Sequence, residues 1–146
     1  MAPEENTRVV RRFYEEVWQK GNLDVADDVF GDDYVRHDLR PTDAAPGPEG
    51  QKQIARAFRA AFPDLRFDVE IVIADGNYVA ARWTASGTHT GRWGDVEPTG
   101  RFVTFSGVNI FRFENARVME IWNHRDDLGL REQLGVAVFA AAPPQA

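Results

Sequence analysis

The stretch Leu65-Arg-Phe-Asp-Val-Glu-Ile-Val-Ile-Ala-Asp-Gly76 marks the point where the chain changes from helical to extended structure. Apolar and charged residues alternate in it, which is the two-residue period of a half-buried β-strand; the apolar positions are Leu65, Phe67, Val69, Ile71 and Ile73. Asp75-Gly76 predicts a tight turn. A second strand should then run from about Tyr78 to His89, antiparallel to the first.

Two more strands continue this pattern. Residues 91–100 contain Gly94, Pro98 and Gly100 and predict a loop. We expect a third strand from Arg101 to Phe113 and a fourth from Arg117 to about His124, joined by a turn at residues 114–116. A short helix over Leu128–Leu134 should close the chain.

Before Leu65 the apolar residues recur with helical spacing. A first amphipathic helix should end at Gly21, Asn22 can cap a short second helix, and Pro48 opens a third. Tyr34–Leu39 is short, with a β-like start. Helices followed by an antiparallel meander predict an α+β fold, in which N-terminal helices pack on a strongly curved, mostly antiparallel sheet. Such a sheet, with helices across its mouth, encloses a cavity that can host a small molecule.

Composition narrows the class of protein. The 146 residues predict one domain over 1–139 and a flexible Ala/Pro-rich tail over 140–146. A net charge of −6 without a basic stripe argues against nucleic-acid binding. The chain has no cysteine, which excludes disulfides, and no apolar stretch of membrane-spanning length. We therefore expect a cytoplasmic protein that is not bound to a membrane.

The predicted last strand carries an unusual row of side chains. Glu120, Trp122 and His124 share one face, and Asp126 continues the row. An acid, an indole and an imidazole in one line favour the wall of a pocket that moves protons. One of the two adjacent acids can cap the closing helix, and strand parity favours Asp126 as the inward one. The catalytic candidates are Asp126 and His124, with His37 as a third group.

Candidate substrate-binding residues come from the neighbouring strands. Asn109 interrupts an otherwise apolar row and must be hydrogen-bonded, whether to a neighbour, a water or a ligand. Arg82 and Glu120 could bind substrate or form an ordinary ion pair across the sheet, and His89 could be a rim residue. The three histidines match no known metal-ligand spacing, so we predict no metal site. The candidate set is Asn109, Trp83, Trp122, His89, Phe105, Arg82 and Glu120.

Several stretches, in order and spacing, resemble the SnoaL-like polyketide cyclase family, which shares its cystatin-like α+β cone with ketosteroid isomerase. They cover nearly the whole chain: Tyr34-Val-Arg-His-Asp38, Pro46-Gly-Pro-Glu-Gly50, Phe62-Pro-Asp-Leu65, Gly87-Thr-His-Thr-Gly91, Pro98-Thr-Gly100, Glu120-Ile-Trp122 and Asp126 through Gln133-Leu-Gly135. The resemblance implies a deep apolar pocket and a homodimer or homotetramer built through the sheets. It also implies that neither a metal nor an organic cofactor takes part.

The resemblance further implies an intramolecular aldol-type ring closure of a small aromatic or polyketide substrate, as in secondary metabolism. Its acid/base would be Asp126, with His124, Asn109 or His37 as hydrogen-bond donors to the enolate oxygen. The family also includes hydroxylases and epoxide-opening enzymes, so a hydroxylating or hydrating enzyme is one alternative. A non-catalytic small-molecule binding protein is another.

Overall fold

A computed structural model describes residues 3–39 and 42–136 of the chain. The helices are α1 (Pro3–Arg12), α2 (Ala26–Val29), α3 (Pro48–Ala61) and α4 (Asp127–Gln133). The strands are β1 (Phe30–His37), β2 (Arg66–Asp75), β3 (Tyr78–Thr88), β4 (Phe102–Glu114) and β5 (Arg117–Arg125). The predicted tail and the domain boundary at residue 139 lie outside the described residues.

The five strands form one sheet in the order β1-β5-β4-β3-β2. Strands β2 to β5 pair antiparallel as the predicted meander, whereas β1 pairs parallel to β5, with His37 opposite Trp122. The sheet is therefore mixed and open, with helices packed on one face. The predicted α+β cone is confirmed.

The face of the sheet toward the helices, which we call the inner face, carries the core. Alternate residues of β3 and β4 are buried there: Val79, Ala81, Trp83, Ala85, Val103, Phe105, Asn109, Phe111 and Phe113. Strand β5 carries a bulge, because Glu120 pairs with Arg112 while Val118 pairs with the next residue, Phe113. Met119 is the extra residue, so the strand turns the same face inward at Val118 and Ile121 although they are three positions apart.

The N-terminal helices differ in detail from the prediction. The first continues beyond α1 as a π-helix over Phe13–Gln19, and the second begins as a 3₁₀ turn over Leu23–Val25. The side chain of Asn22 does not cap the second helix as predicted, because it donates to Glu16 Oε1 at 2.8 Å instead. None of the helices within residues 3–39 and 42–136 combines the length and apolarity needed to cross a bilayer.

Candidate functional site

Two neighbouring cavities lie between α3 and the inner face of the sheet. The larger, here called the outer chamber, has a volume of about 500 Å³, which is in the range of small-molecule sites. Segments from four parts of the chain surround it. Its lining is Asp38, Leu39, Thr42, Asp43, Ala44, Gln53, Ile54, Ala57, Phe58, Trp93, Gly94, Asn123, Arg125 and Asp127.

The smaller cavity, here called the inner chamber, has a volume of about 60 Å³ and lies against the first helix. Aromatic rings dominate its wall: Phe13, Tyr14, Trp18, Phe58, Phe67, Trp83 and Phe105. Phe67 stacks between Tyr14 and Trp83, with ring centroids 5.3 and 4.7 Å apart. These stacked faces suit a planar, unsaturated ligand group.

Five residues line both chambers and form what we call the junction: Asp38, Ile54, Phe58, Asn123 and Arg125. Asp38 lies just after β1 and is the one acidic residue of the five that form the junction. Arg36 Nε donates to Asp38 Oδ2 at 2.8 Å, and Asn123 Nδ2 donates to Oδ1 at 2.9 Å. The Asp38 side chain keeps 22% of its surface exposed. It is thus held by two donors and still accessible from the cavities.

Behind the junction, Asn109 completes a network of hydrogen bonds. Its Oδ1 accepts from the Tyr14 hydroxyl at 2.5 Å and from Trp83 Nε1 at 2.7 Å, and its Nδ2 donates to Asn123 Oδ1 at 2.6 Å. The prediction that Asn109 must be hydrogen-bonded is confirmed, and its partners are neighbouring side chains. Complete burial raises the pKa of Tyr14 well above its ordinary value, so this hydroxyl stays neutral and able to donate.

A cation stands on the other side of the junction. Arg125 Nη2 donates to Asp127 Oδ2 at 3.2 Å, and the guanidinium carbon lies 4.7 Å from the centre of the Phe58 ring. The ion pair and the aromatic ring hold the guanidinium in place. A carboxylate and an oriented cation therefore border the same opening between the two chambers.

Asp126 does not face the cavity, and the expected orientation was wrong. Its side chain is exposed, and Oδ1 accepts from Gly129 N at 2.9 Å as the N-cap of α4. The first N–H groups of a helix need acceptors, and the residue before the first helical position supplies one. Because α4 begins at Asp127, Asp126 takes the capping position and Asp127 lines the outer chamber.

The row Glu120, Trp122 and His124 shares one face, as predicted, but that face is the outer one. The bulge at Met119 directs Ile121, Asn123 and Arg125 inward instead.

His37 lies on the outer face with that row. Its ring stacks on Trp122 at 5.1 Å, and its Nε2 bonds Glu120 Oε2 at 2.7 Å. The bonds from His37 and Arg112 lower the pKa of Glu120. Neither chamber is lined by His37, His124, Trp122 or Glu120.

Two further candidates also lie away from the chambers. Arg82 pairs with Glu70 on β2, so the alternative of an ion pair between Arg82 and Glu120 was wrong. His89 is buried against Phe62, with ring centroids 5.4 Å apart, and its Nδ1 accepts from Thr99 N at 3.1 Å. This burial lowers the pKa of His89. Both side chains line neither chamber.

Three of the candidates, Asn109, Trp83 and Phe105, do line the inner chamber, and their role in binding stays a prediction. Sequence reasoning missed Asp38 and the inward residues of β5. A signal existed for Asp38, because Tyr34, Arg36 and Asp38 continue one alternating row that begins at a buried aromatic.

Comparisons with known proteins agree with this architecture. The family model described as SnoaL-like polyketide cyclase matches residues 8–134. A proposed polyketide cyclase from Acidithiobacillus ferrooxidans is 30% identical, with a TM-score of 0.77 and coverage of 92% of this chain and 98% of that one. A proposed polyketide cyclase from Bacillus cereus is 28% identical, with a TM-score of 0.77 and coverage of 91% and 83%.

A third solved structure is AclR, a proposed hydroxylase from Streptomyces galilaeus. It is 25% identical, with a TM-score of 0.80 and coverage of 93% of this chain and 88% of that one. No curated protein matches the sequence.

Proposed function

Because this chain belongs to the SnoaL-like polyketide cyclase family, we propose that it is a cofactor-independent acid/base enzyme. It closes a ring in a small aromatic or polyketide-type substrate by an intramolecular aldol step. Catalysis of this kind needs a base beside an acidic C–H bond and a donor beside the developing enolate oxygen.

The observation that carries the proposal is the position of Asp38. Its carboxylate borders both chambers, and each of its oxygens accepts one hydrogen bond from the protein. A carboxylate has about four lone-pair sites, so acceptor capacity remains for a substrate proton. Asp38 is therefore the base that we propose, in place of the predicted Asp126.

Arg125 is the donor that we propose for the enolate oxygen. Asp38 takes a proton from the carbon next to a carbonyl group, and the guanidinium stabilises the resulting negative charge. The enolate carbon then attacks a second carbonyl carbon of the same molecule and forms the new C–C bond. The alkoxide takes back the proton that Asp38 carries, so the cycle needs no oxidant or reductant.

The two chambers suggest how the substrate lies. The stacked rings of the inner chamber would hold a planar, conjugated end, and the outer chamber has room for the rest of the molecule. The reacting carbon would then sit at the junction, beside Asp38.

A panel of aromatic ketones, poly-β-ketones and epoxides tests this proposal, with products analysed by mass spectrometry. A ring closure gives a product of unchanged mass or one that has lost water. We expect Asp38→Asn to lower kcat/KM by about 10²–10⁴-fold, the usual cost of losing a general base. Asp126→Asn is the matched control, because asparagine caps a helix about as well as aspartate.

Three outcomes would contradict the proposal. Wild-type rates in Asp38→Asn would remove Asp38 as the base. Loss of activity in Asp126→Asn alone would restore the assignment predicted from the sequence. Tight binding of a ring compound without turnover of any panel member would indicate a small-molecule binding protein.

A hydroxylase is the second candidate, because AclR, a proposed hydroxylase, is similar over most of both chains. The same chambers would hold an aromatic substrate with a CH₂ group beside a carbonyl, from which Asp38 removes a proton. The enolate carbon adds dioxygen to form a hydroperoxide, which loses water and leaves a new carbonyl group. A product that has gained one oxygen atom and lost two hydrogen atoms, with oxygen uptake measured by electrode, would favour this reaction over ring closure.

We also propose that the protein assembles as a homodimer or homotetramer through the outer face of the sheet. Several large apolar side chains are exposed on that face: Ile71, Ile73, Tyr78, Val108 and Ile110. Contiguous apolar surface of this kind often marks a protein–protein interface.

A further inference from the structure

We propose that Asn109 and Asn123, here called the amide relay, position the carboxylate of Asp38. The indole N–H of Trp83 fixes the orientation of the Asn109 amide, and Asn109 in turn orients Asn123 so that its NH₂ group donates to Asp38. The inference rests on the function proposed above, since it concerns the same carboxylate. Asn109 and Asn123 act in it as positioning residues and not as the base.

The direction is set at the buried end of the relay. An indole N–H can only donate, so the atom of Asn109 that faces Trp83 Nε1 at 2.7 Å must be its oxygen. The Tyr14 hydroxyl donates to the same oxygen at 2.5 Å. Asn109 is only 9% exposed, so solvent has little access to reverse this amide.

The second amide follows from the first. With its oxygen committed to Trp83, Asn109 must turn its NH₂ group toward Asn123, and an amide nitrogen only donates. Asn123 therefore presents its oxygen, at 2.6 Å. Its own NH₂ group is left on the opposite side, where it donates to Asp38 Oδ1 at 2.9 Å.

The relay thus delivers a fixed donor to one oxygen of Asp38, while Arg36 Nε serves the other. Donors on both oxygens hold the carboxylate in one orientation, which a general base needs in order to meet the substrate proton. The donor from Arg36 comes from the residue two positions before, whereas the donor from Asn123 comes from another strand. The relay therefore fixes the carboxylate relative to the wall of the inner chamber.

The variant Asn109→Asp reverses the relay with almost no change in volume. The new carboxylate still accepts from Trp83 and Tyr14, but it cannot donate to Asn123. Asn123 then turns its NH₂ group toward residue 109 and its oxygen toward Asp38, so Asp38 Oδ1 loses its donor.

Proton–nitrogen NMR of the side-chain amide groups in the substrate-free protein measures the effect. We expect the Asn123 NH₂ signals to shift in Asn109→Asp, because that group then donates to residue 109 and no longer to Asp38. In turnover assays kcat should fall in the same variant, because the base is no longer held in place.

Two further variants separate the relay from simpler explanations. Asn109→Leu removes the donor without adding a charge, and we expect the Asn123 NH₂ signals to shift by a smaller amount. Tyr14→Phe keeps the indole donor, so it should leave those signals unchanged. Thermal unfolding checks that each variant is folded, and the double variant Trp83→Phe/Tyr14→Phe replaces Asn109→Leu if that protein does not fold.

The outcomes are decisive in both directions. Wild-type Asn123 NH₂ signals in Asn109→Leu, or in the double variant that replaces it, would overturn the relay and assign any shift in Asn109→Asp to the added charge. Shifted Asn123 signals in a protein that turns over none of the panel compounds would support the relay and count against the cyclase. Activity that depends on Asp38, with Asn123 signals that no variant moves, would support the base and count against the relay.

Discussion

Replacing Gly107 by alanine should lower the stability of the protein and displace Trp83, which lines the inner chamber. Gly107 pairs with Trp83 across strands β3 and β4. An added Cβ atom would lie 2.4 Å from Cζ2 of the Trp83 ring and 2.6 Å from the backbone oxygen of His124. Both distances are about 1 Å inside ordinary van der Waals contact.

The expected magnitude follows from two opposing effects. Glycine to alanine within a strand normally stabilises by about 0.5–1 kcal/mol, because the unfolded chain loses freedom. Overpacking of a filled core costs about 1–3 kcal/mol, and here the upper end applies because a backbone oxygen of β5 must also move. We expect a net loss of about 2 kcal/mol in the free energy of unfolding, or a fall in Tm of about 4–8 °C.

Urea unfolding followed by tryptophan fluorescence measures the loss, and near-ultraviolet circular dichroism detects displacement of the Trp83 indole. The control is Gly76→Ala, where a Cβ meets nothing within 4 Å but φ is 58°. It should cost about 1–2 kcal/mol from backbone strain alone and leave the near-ultraviolet spectrum unchanged. A Gly107→Ala protein as stable as the wild type, with an unchanged spectrum, would refute the close-packing argument.

Three other predictions concern stability, pH and assembly. Asp126→Ala removes the cap of α4 and should lower the free energy of unfolding by about 1 kcal/mol, whereas Asp126→Asn should not; equal urea midpoints for both would contradict this. Burial lowers the pKa of His89 below 6.5, so the unfolded chain binds a proton that the folded protein does not, and stability should fall as pH drops below about 6.5. Unfolding measured from pH 7 to 5 should show a flatter curve for His89→Gln, and parallel curves would exclude His89 as the cause. Ile110→Glu should convert the proposed oligomer to monomers in sedimentation velocity, with Ala60→Glu on the exposed side of α3 as a control; a wild-type sedimentation coefficient for Ile110→Glu would place the interface elsewhere.

Most of the fold could be predicted because its signals are local. The four meander strands follow from two-residue alternation, and α3 follows from the proline that opens it. Strand β1 was only partly predicted, because it pairs with β5 at the other end of the chain and is irregular between Phe30 and Val35. The π-helix over Phe13–Gln19 buries the side chains that a regular helix would bury, so periodicity does not reveal it.

The site was predicted on the right strand but with the wrong face turned inward. Alternation groups residues into two rows, yet it does not say which row meets the helices. For β5 the choice is set by the bulge at Met119 and by the partners that the outer row finds, which are His37 and Arg112 on neighbouring strands. The contact between His37 and Glu120 spans 83 positions, so local patterns carry no trace of it.

The parallel pairing of β1 with β5 determines when the candidate site forms during folding and how it can be lost. The bond between Asp38 and Asn123 spans 85 positions, and it exists only while an edge strand with a single neighbour stays docked. Closing so long a loop is entropically costly, so the two halves of the site should meet late in folding. Partial opening of that edge would break the bond between Asn123 and Asp38 while strands β2 to β5 stay paired. We therefore expect the amide protons of β1 to exchange with solvent before those of β3 and β4.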